Sequence, residues 1–296
     1  MDVRDTEGSI VALVTPFDEN GQIDFPAIDR LVDFHIQNHT DGILVLGTTG
    51  ESATMTDAED YAVAKRVVDD VAGRIPVIGG SGSNSTAESL AKSRGLAELG
   101  VDALLLITPY YNKSNEDGIY HHFTAVLDQV DKPAILYNIP GRTGCSISEG
   151  NVERLCTHPN VMGIKEASGS ISYATTVAQY LSDDFRMYSG NDDMVVPLLS
   201  LGASGVISVW ADVQPRVVHD MVRSYLDGDV RTARRAQLDG LELVHSLFCE
   251  VNPIPVKAAL SMMGLISEGY RQPLWPLSDP TRERLSAAMR GAGLIG

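Results

Sequence analysis

Long apolar runs are missing from this chain. No stretch approaches the roughly 20 residues needed to cross a bilayer, and 21% charged residues beside 44% hydrophobic ones fit a soluble globular protein. Cysteine is scarce: Cys145, Cys156 and Cys249 are odd in number and widely spaced, which argues against a disulfide framework or a zinc site. Cys145 reads as a small buried apolar side chain. Basic charge is also short, with 23 Lys and Arg against 39 Asp and Glu and a formal net charge of -16, so nucleic-acid backbones and anionic membranes are unsuitable partners. The first residues, Met1-Asp2-Val3-Arg4, lack the basic and apolar regions of a secretory signal, and a cytoplasmic location is expected. Among chemical motifs, a Walker A loop, a GxGxxG fingerprint, an HExxH pair and a GxSxG elbow are all lacking. Metal ligands are not evident, and none of these nucleotide- or metal-binding signatures is present.

What is present is an alternation of short β-branched runs with longer amphipathic segments. The runs predict eight strands, at 9–16, 42–47, 76–82, 103–109, 134–140, 161–167, 186–191 and 205–209. Several are unbroken in Ile, Leu and Val, as parallel strands buried on both faces require. Helical patterns lie between them at 25–37, 57–72, 87–99 and 171–181. Thr56 with Glu59, and Ser85 with Glu88, have the spacing of capping boxes. Eight βα units in series predict an α/β protein of the (β/α)8 TIM-barrel class over residues 1–228, with a C-terminal helical extension over 229–296. Asn252-Pro-Ile-Pro-Val256 reads as a break between helices of that extension.

Barrels of this kind place their chemistry at the carboxyl ends of the strands. Lys165 falls there, inside an otherwise apolar run. Burial disfavours an ammonium, and the neutral amine is the form that adds to a carbonyl to make a Schiff base. The plainer alternative is an ion pair with Glu166 or a side chain reaching out to water. Gly47-Thr-Thr-Gly-Glu-Ser52 follows the second strand, and its glycines let backbone N–H groups and the Thr48 and Thr49 hydroxyls approach a carboxylate or phosphate. An ordinary βα turn has the same composition. Tyr137 is on the strand beside that of Lys165, where a phenol can pass protons or simply fill space. Arg142 presents a planar fork suited to a carboxylate or to a surface ion pair. The stretches at Ser189-Gly190 and Gly205-Val-Ile207-Ser208 expose backbone to a central ligand, and His121 and His122 belong to the helix after the fourth strand.

Taken together, Gly8-Ser-Ile-Val11, Thr15-Pro16, Gly47-Thr-Thr-Gly-Glu51, Tyr110-Tyr111, Tyr137-Asn-Ile-Pro140, Gly163-Ile-Lys-Glu-Ala167, Gly205-Val-Ile-Ser208 and Asn252-Pro-Ile-Pro-Val-Lys257 resemble the dihydrodipicolinate synthase and N-acetylneuraminate lyase family of class I pyruvate aldolases. The likeness covers nearly the whole chain. Thr49 and Gly141-Arg-Thr-Gly144 place it nearer the synthases than the lyases. The resemblance implies a Schiff base between Lys165 and pyruvate, and a proton relay of Tyr137, Thr48 and Tyr111, with Tyr111 reaching into a neighbouring subunit. It further implies that Thr49 holds the pyruvate carboxylate, that Arg142 receives the carboxylate of aspartate semialdehyde, and that Gly190 and Ile207 line the pocket. A homotetramer built as a dimer of dimers is implied as well. Ser52, Ala53, Asn84, Glu88 and Tyr110 match the family's lysine-inhibition cleft, but Asp57 and Asp60 stand where inhibited bacterial enzymes often carry histidines, so weak or absent inhibition is expected. The run Ser189-Gly-Asn-Asp192 departs slightly from the usual Ser-Gly-Asp-Asp. Two other readings stand beside the synthase: a lyase or aldolase of the same family acting on a 2-keto sugar acid such as N-acetylneuraminate, and a barrel that binds without catalysis.

Overall fold

Strands made of unbroken Val, Ile and Leu have no face to offer water, so they are stable only when enclosed on both sides. The structure, a computed structural model, describes residues 2–296 and encloses them in this way. The strands are β1 (Gly8–Ala12), β2 (Gly42–Val45), β3 (Val77–Gly80), β4 (Ala103–Ile107), β5 (Ala134–Asn138), β6 (Val161–Glu166), β7 (Arg186–Ser189) and β8 (Gly205–Ser208). All pair in parallel and in sequence order, and β8 closes on β1. Around them run α1 (Phe25–Gln37), α2 (Asp57–Val71), α3 (Thr86–Leu99), α4 (Glu116–Leu127), α5 (Pro140–Thr143), α6 (Glu149–Leu155), α7 (Ile171–Ala178), α8 (Val195–Leu199) and α9 (Pro215–Leu226). The C-terminal extension adds α10 (Val230–Leu247), α11 (Ile254–Met262) and α12 (Asp279–Gly291). This is a (β/α)8 barrel followed by helices, as expected.

Each predicted strand exists, but all eight stop short of the predicted carboxyl end. After β1, β2, β5 and β8 the apolar composition continues through Leu13-Val14, Leu46, Ile139 and Val209, while the chain has already left the ladder for the rim loops, which is where the site is built. Alternation along the strands separates two apolar regions. Ile10, Leu44, Ile78, Leu105, Ile135 and Ile207 fill the barrel interior. Their neighbours Val11, Ile43, Leu104, Leu136, Ile164 and Val206 pack outward, in one cluster with Leu243, Val256 and Leu285 of the extension. The extension is thus held by the same outer apolar layer that holds the barrel helices.

Helix ends follow local rules, with two corrections to expectation. Thr56 and Glu59 form a complete capping box at α2. At α3, Ser85 accepts from the Glu88 N–H, but the Glu88 carboxylate accepts from the Ser83 hydroxyl at 2.9 Å, so the box is only half made. The second correction is to the extent of the break at 252–256: α10 and α11 are separated there as expected, but only Asn252 and Pro253 of that stretch lie in the gap, and Ile254-Pro-Val256 already form the first turn of α11. Pro255 lies in the first turn, where the missing N–H costs nothing. Short α5 and α8 carry too few residues for a helical period to be visible in the sequence. Among the described residues no helix is long and apolar enough to cross a membrane.

Candidate active site

Strand parity decides where Lys165 points. Parallel register sets Tyr137 of β5, Lys165 of β6 and Tyr188 of β7 side by side. Tyr137 and Tyr188 belong to the interior cluster, so Lys165 projects inward with them. Glu166, the next residue, must then face the helices. There it accepts from Asn138 Nδ2 at 2.8 Å and from the Ser168 N–H at 2.8 Å. The Lys165–Glu166 ion pair considered from sequence is therefore absent, for a simple geometric reason. Lys165 is only 6% exposed and its Nζ lies 4.4 Å from the centre of the Tyr137 ring.

Burial is the main cause that brings the Lys165 ammonium down from its ordinary 10.5 to about 7; Asp192 opposes the change and Arg142 adds to it. The same burial pushes the Tyr137 phenol up to about 12, with Arg142 and the Thr48 side chain drawing it back. One group is thus partly neutral near pH 7, while its neighbour keeps its proton. That combination suits attack by an amine followed by proton transfer through a hydroxyl.

A cavity of about 350 Å³ opens over these groups at the carboxyl ends of the strands. Thr48, Thr49, Tyr137, Arg142, Lys165 and Gly190 are all in its wall. Thr49 is 4% exposed, and its Oγ1 accepts from Asn252 Nδ2 at 2.9 Å. Arg142, exposed at the mouth, donates through one terminal nitrogen to the Asn252 carbonyl at 3.3 Å. Gly190 is glycine for a steric reason: a Cβ there would meet Ala167 Cβ at 2.6 Å and Lys165 Cε at 3.0 Å. Ile207 sits in the barrel interior rather than in the cavity wall. Tyr111 is away from the cavity of its own chain, 90% exposed, with a left-handed φ of 67°.

The profile of the dihydrodipicolinate synthetase family matches residues 5–292. The chain belongs to that family. A 4-hydroxy-tetrahydrodipicolinate synthase of Pseudomonas aeruginosa is 49% identical over 288 residues, which are 97% of this chain and 99% of that protein. The enzyme of the same name from Clostridium tetani is 48% identical over 290 residues, 98% of each. Among solved structures, a chloride-inhibited dihydrodipicolinate synthase from Acinetobacter baumannii complexed with pyruvate superposes with a TM-score of 0.96 at 41% identity, over 98% of this chain and 100% of that one. A monomeric dihydrodipicolinate synthase variant has the same TM-score, 0.96, at 37% identity over 99% of both chains.

In this member of the dihydrodipicolinate synthetase family, sequence reading passed over two groups. Asp192 is 2% exposed, and it accepts from the Ser208 hydroxyl at 2.6 Å and from the Val209 and Trp210 N–H groups at 3.0 and 2.9 Å. Burial raises its carboxyl above the ordinary carboxylate value, against those hydrogen bonds and against Lys165. In the sequence it stands only as the end of the run Ser189-Gly-Asn-Asp192, with no role attached. Asn252 was visible within a quoted motif, but its contact with Thr49 spans 203 positions and has no local signature.

A second cavity, of about 640 Å³, shares Thr48, Tyr137 and Arg142 with the first and continues along Ser52, Ala53, Asp57, Asp60, Glu88 and Tyr110. Asn84 is not in its wall; its carbonyl accepts from Asn112 Nδ2 at 3.0 Å. Lys92, which the sequence did not single out, enters this cavity and donates to Asp60 Oδ2 at 2.5 Å and to Ser52 Oγ at 2.6 Å.

Proposed function

We propose that this chain is a 4-hydroxy-tetrahydrodipicolinate synthase, a lyase that condenses pyruvate with L-aspartate 4-semialdehyde on the route to diaminopimelate and lysine. The observation that carries the reading is a buried, inward-facing Lys165 with its pKa brought to about 7, beside Tyr137 and beneath the Thr48–Thr49 loop. The neutral Lys165 Nζ adds to C2 of pyruvate, the carbinolamine hydroxyl takes up a proton delivered through Tyr137 from solvent and leaves as water, and the imine that remains is protonated. That imine is an electron sink, so the pyruvate methyl gives up a proton and becomes an enamine. Tyr137, protonated at neutral pH, passes protons with Thr48 and Tyr111 as partners. Thr49 holds the pyruvate carboxylate, Arg142 receives that of the semialdehyde, and the backbone of Gly190 bounds the site, with Ile207 packed in the barrel interior beneath it. The enamine carbon bonds to the aldehyde carbon, and the substrate amine then displaces Lys165 as the ring closes. The lysine itself is the electrophilic catalyst, so the reaction needs no separate cofactor.

The test is pyruvate consumption with and without aspartate semialdehyde. The synthase reading expects loss of pyruvate only when the semialdehyde is present. Cleavage of N-acetylneuraminate or a keto-deoxy acid would instead favour the lyase, which Arg142 and its Gly141–Gly144 setting argue against.

Tyr111 motivates the proposal of a homotetramer assembled as a dimer of dimers. A phenol 90% exposed, on a backbone conformation that non-glycine residues rarely adopt, is well accounted for if it lies against a second subunit. Sedimentation of the active enzyme is expected to show a dimer or larger, and full activity in a monomer would remove Tyr111 from the relay. The biosynthetic reaction and three free cysteines fit a cytoplasmic location.

Regulation by lysine is expected to be weak or absent. Asp60, in the cleft that Ser52, Ala53, Glu88 and Tyr110 help to form, is already paired with the chain's own Lys92. An incoming ammonium finds that carboxylate taken. Turnover measured against added lysine should stay flat through the micromolar range, and a low-micromolar inhibition constant would refute this.

A further inference from the structure

The C-terminal extension reaches the catalytic rim through a fully buried ion pair that the mechanism above does not use. Lys257 of α11 is 0% exposed, and its Nζ donates to Glu51 Oε1 at 2.5 Å. The ammonium also lies 4.3 Å from the centre of the Phe17 ring, and burial brings its pKa down to about 8 against the pull of Glu51. Glu51 is 4% exposed, and its other carboxylate oxygen accepts from the Arg271 N–H at 3.3 Å. Both oxygens are therefore held by the extension.

Glu51 ends the turn that carries Thr48 and Thr49. Its N–H donates to the Thr48 carbonyl at 3.2 Å, and the Gly50 N–H donates to the Gly47 carbonyl at 3.0 Å. Its own φ is 55°, a left-handed value that a residue with a Cβ keeps only where its surroundings over-determine it. Five positions before Lys257, Asn252 donates to Thr49 Oγ1. Buried ion pairs are often no more stabilising than well-packed apolar residues of similar volume, so stability alone is a weak reason for one. Geometry supplies a better reason, because this pair fixes a strained turn against a separate element.

We infer that Lys257 and Glu51 are positioning residues for the carboxylate-binding turn, so that the C-terminal extension sets how well Thr48 and Thr49 grip the first substrate. This rests on the synthase reading, and its test separates the two. Wild type, Glu51→Gln and the double variant Lys257→Met/Glu51→Gln are compared; the double variant removes both charges and leaves neither one buried alone. The readouts are the half-saturating pyruvate concentration for borohydride-trapped adduct, the KM for the semialdehyde, and Tm. Half-saturation by pyruvate is expected to rise by roughly ten- to 100-fold in the double variant, as misplacement of a substrate-holding group can do. Glu51→Gln should also raise half-saturation and, because it leaves Lys257 buried without its carboxylate, should lower Tm, whereas the double variant should keep Tm nearer that of wild type; the semialdehyde KM should be nearly unchanged in both. A wild type that traps pyruvate, with variants that trap it at the same concentration, overturns the positioning role whatever happens to Tm. So does a double variant that fails to fold when Glu51→Gln folds and binds as wild type does. No pyruvate adduct in wild type would instead bring down the synthase reading, and the inference with it.

Discussion

Borohydride reduction in the presence of pyruvate should leave a pyruvyl mass on Lys165, and Lys165→Ala should lose both that mass and turnover by on the order of 10⁴ or more. The expectation rests on position. Lys165 is 6% exposed and projects into the interior beside Tyr137, and no carboxylate pairs with it directly. A lysine at its ordinary 10.5 would be neutral in only about one molecule in three thousand at pH 7, whereas one near 7 is neutral in about half. The sign of the pH dependence follows. Adduct formation should rise as pH increases through about 7, where Lys165 loses its proton, and should then level off. A rate still climbing steeply to pH 10 would mean that burial does not perturb this lysine. Mass on a different lysine, or none on any, would count directly against the assigned role. Lys165→Arg serves as a further control, since it keeps the positive charge but cannot form the imine.

Arg142→Ala should separate the two substrates. The guanidinium stands at the cavity mouth and donates to the Asn252 carbonyl, away from the bonds that make the imine. Its loss should cost about 1.5–3 kcal/mol of semialdehyde recognition, roughly ten- to 150-fold in kcat/KM for that substrate. Adduct formation with pyruvate should change far less. A small effect is still expected, because Arg142 helps to hold down the pKa of Lys165, and its removal leaves slightly more of the amine protonated at pH 7. Arg142→Lys should recover only part of the loss, since an ammonium cannot make the two parallel hydrogen bonds of a guanidinium fork. Stopped-flow turnover and trapped-adduct rates measured on the same preparation check this. Equal losses in both would place Arg142 in imine chemistry instead.

Several features were legible because they are local. The apolar character of β2 and β4 reports burial on both faces, and a strand needs only its own residues to show that. Lys165 stood out as a cation within such a run. Register between neighbouring strands then confirmed the adjacency with Tyr137. The capping box at Thr56 and the helical place of His121 and His122 are equally local. The half-made box at Ser85 shows the limit: its spacing is correct, but Ser83 competes for the Glu88 carboxylate, and spacing does not record competition.

By itself, then, the amino-acid sequence determined the barrel, the order of its strands and the delivery of Thr48, Thr49, Tyr137, Arg142, Lys165 and Gly190 to one rim. Periodicity and apolar composition act over a few residues and are therefore written into them. Only the tertiary structure decided that Glu166 turns away from Lys165, that Asp192 is the buried carboxylate acting on that lysine, and that Lys92 occupies Asp60. It also decided that Lys257 meets Glu51 across 206 positions. Each of these depends on a direction or a long-range contact set by closure of the sheet and docking of the extension, and a charged side chain's partner in such a setting has no local pattern to announce it.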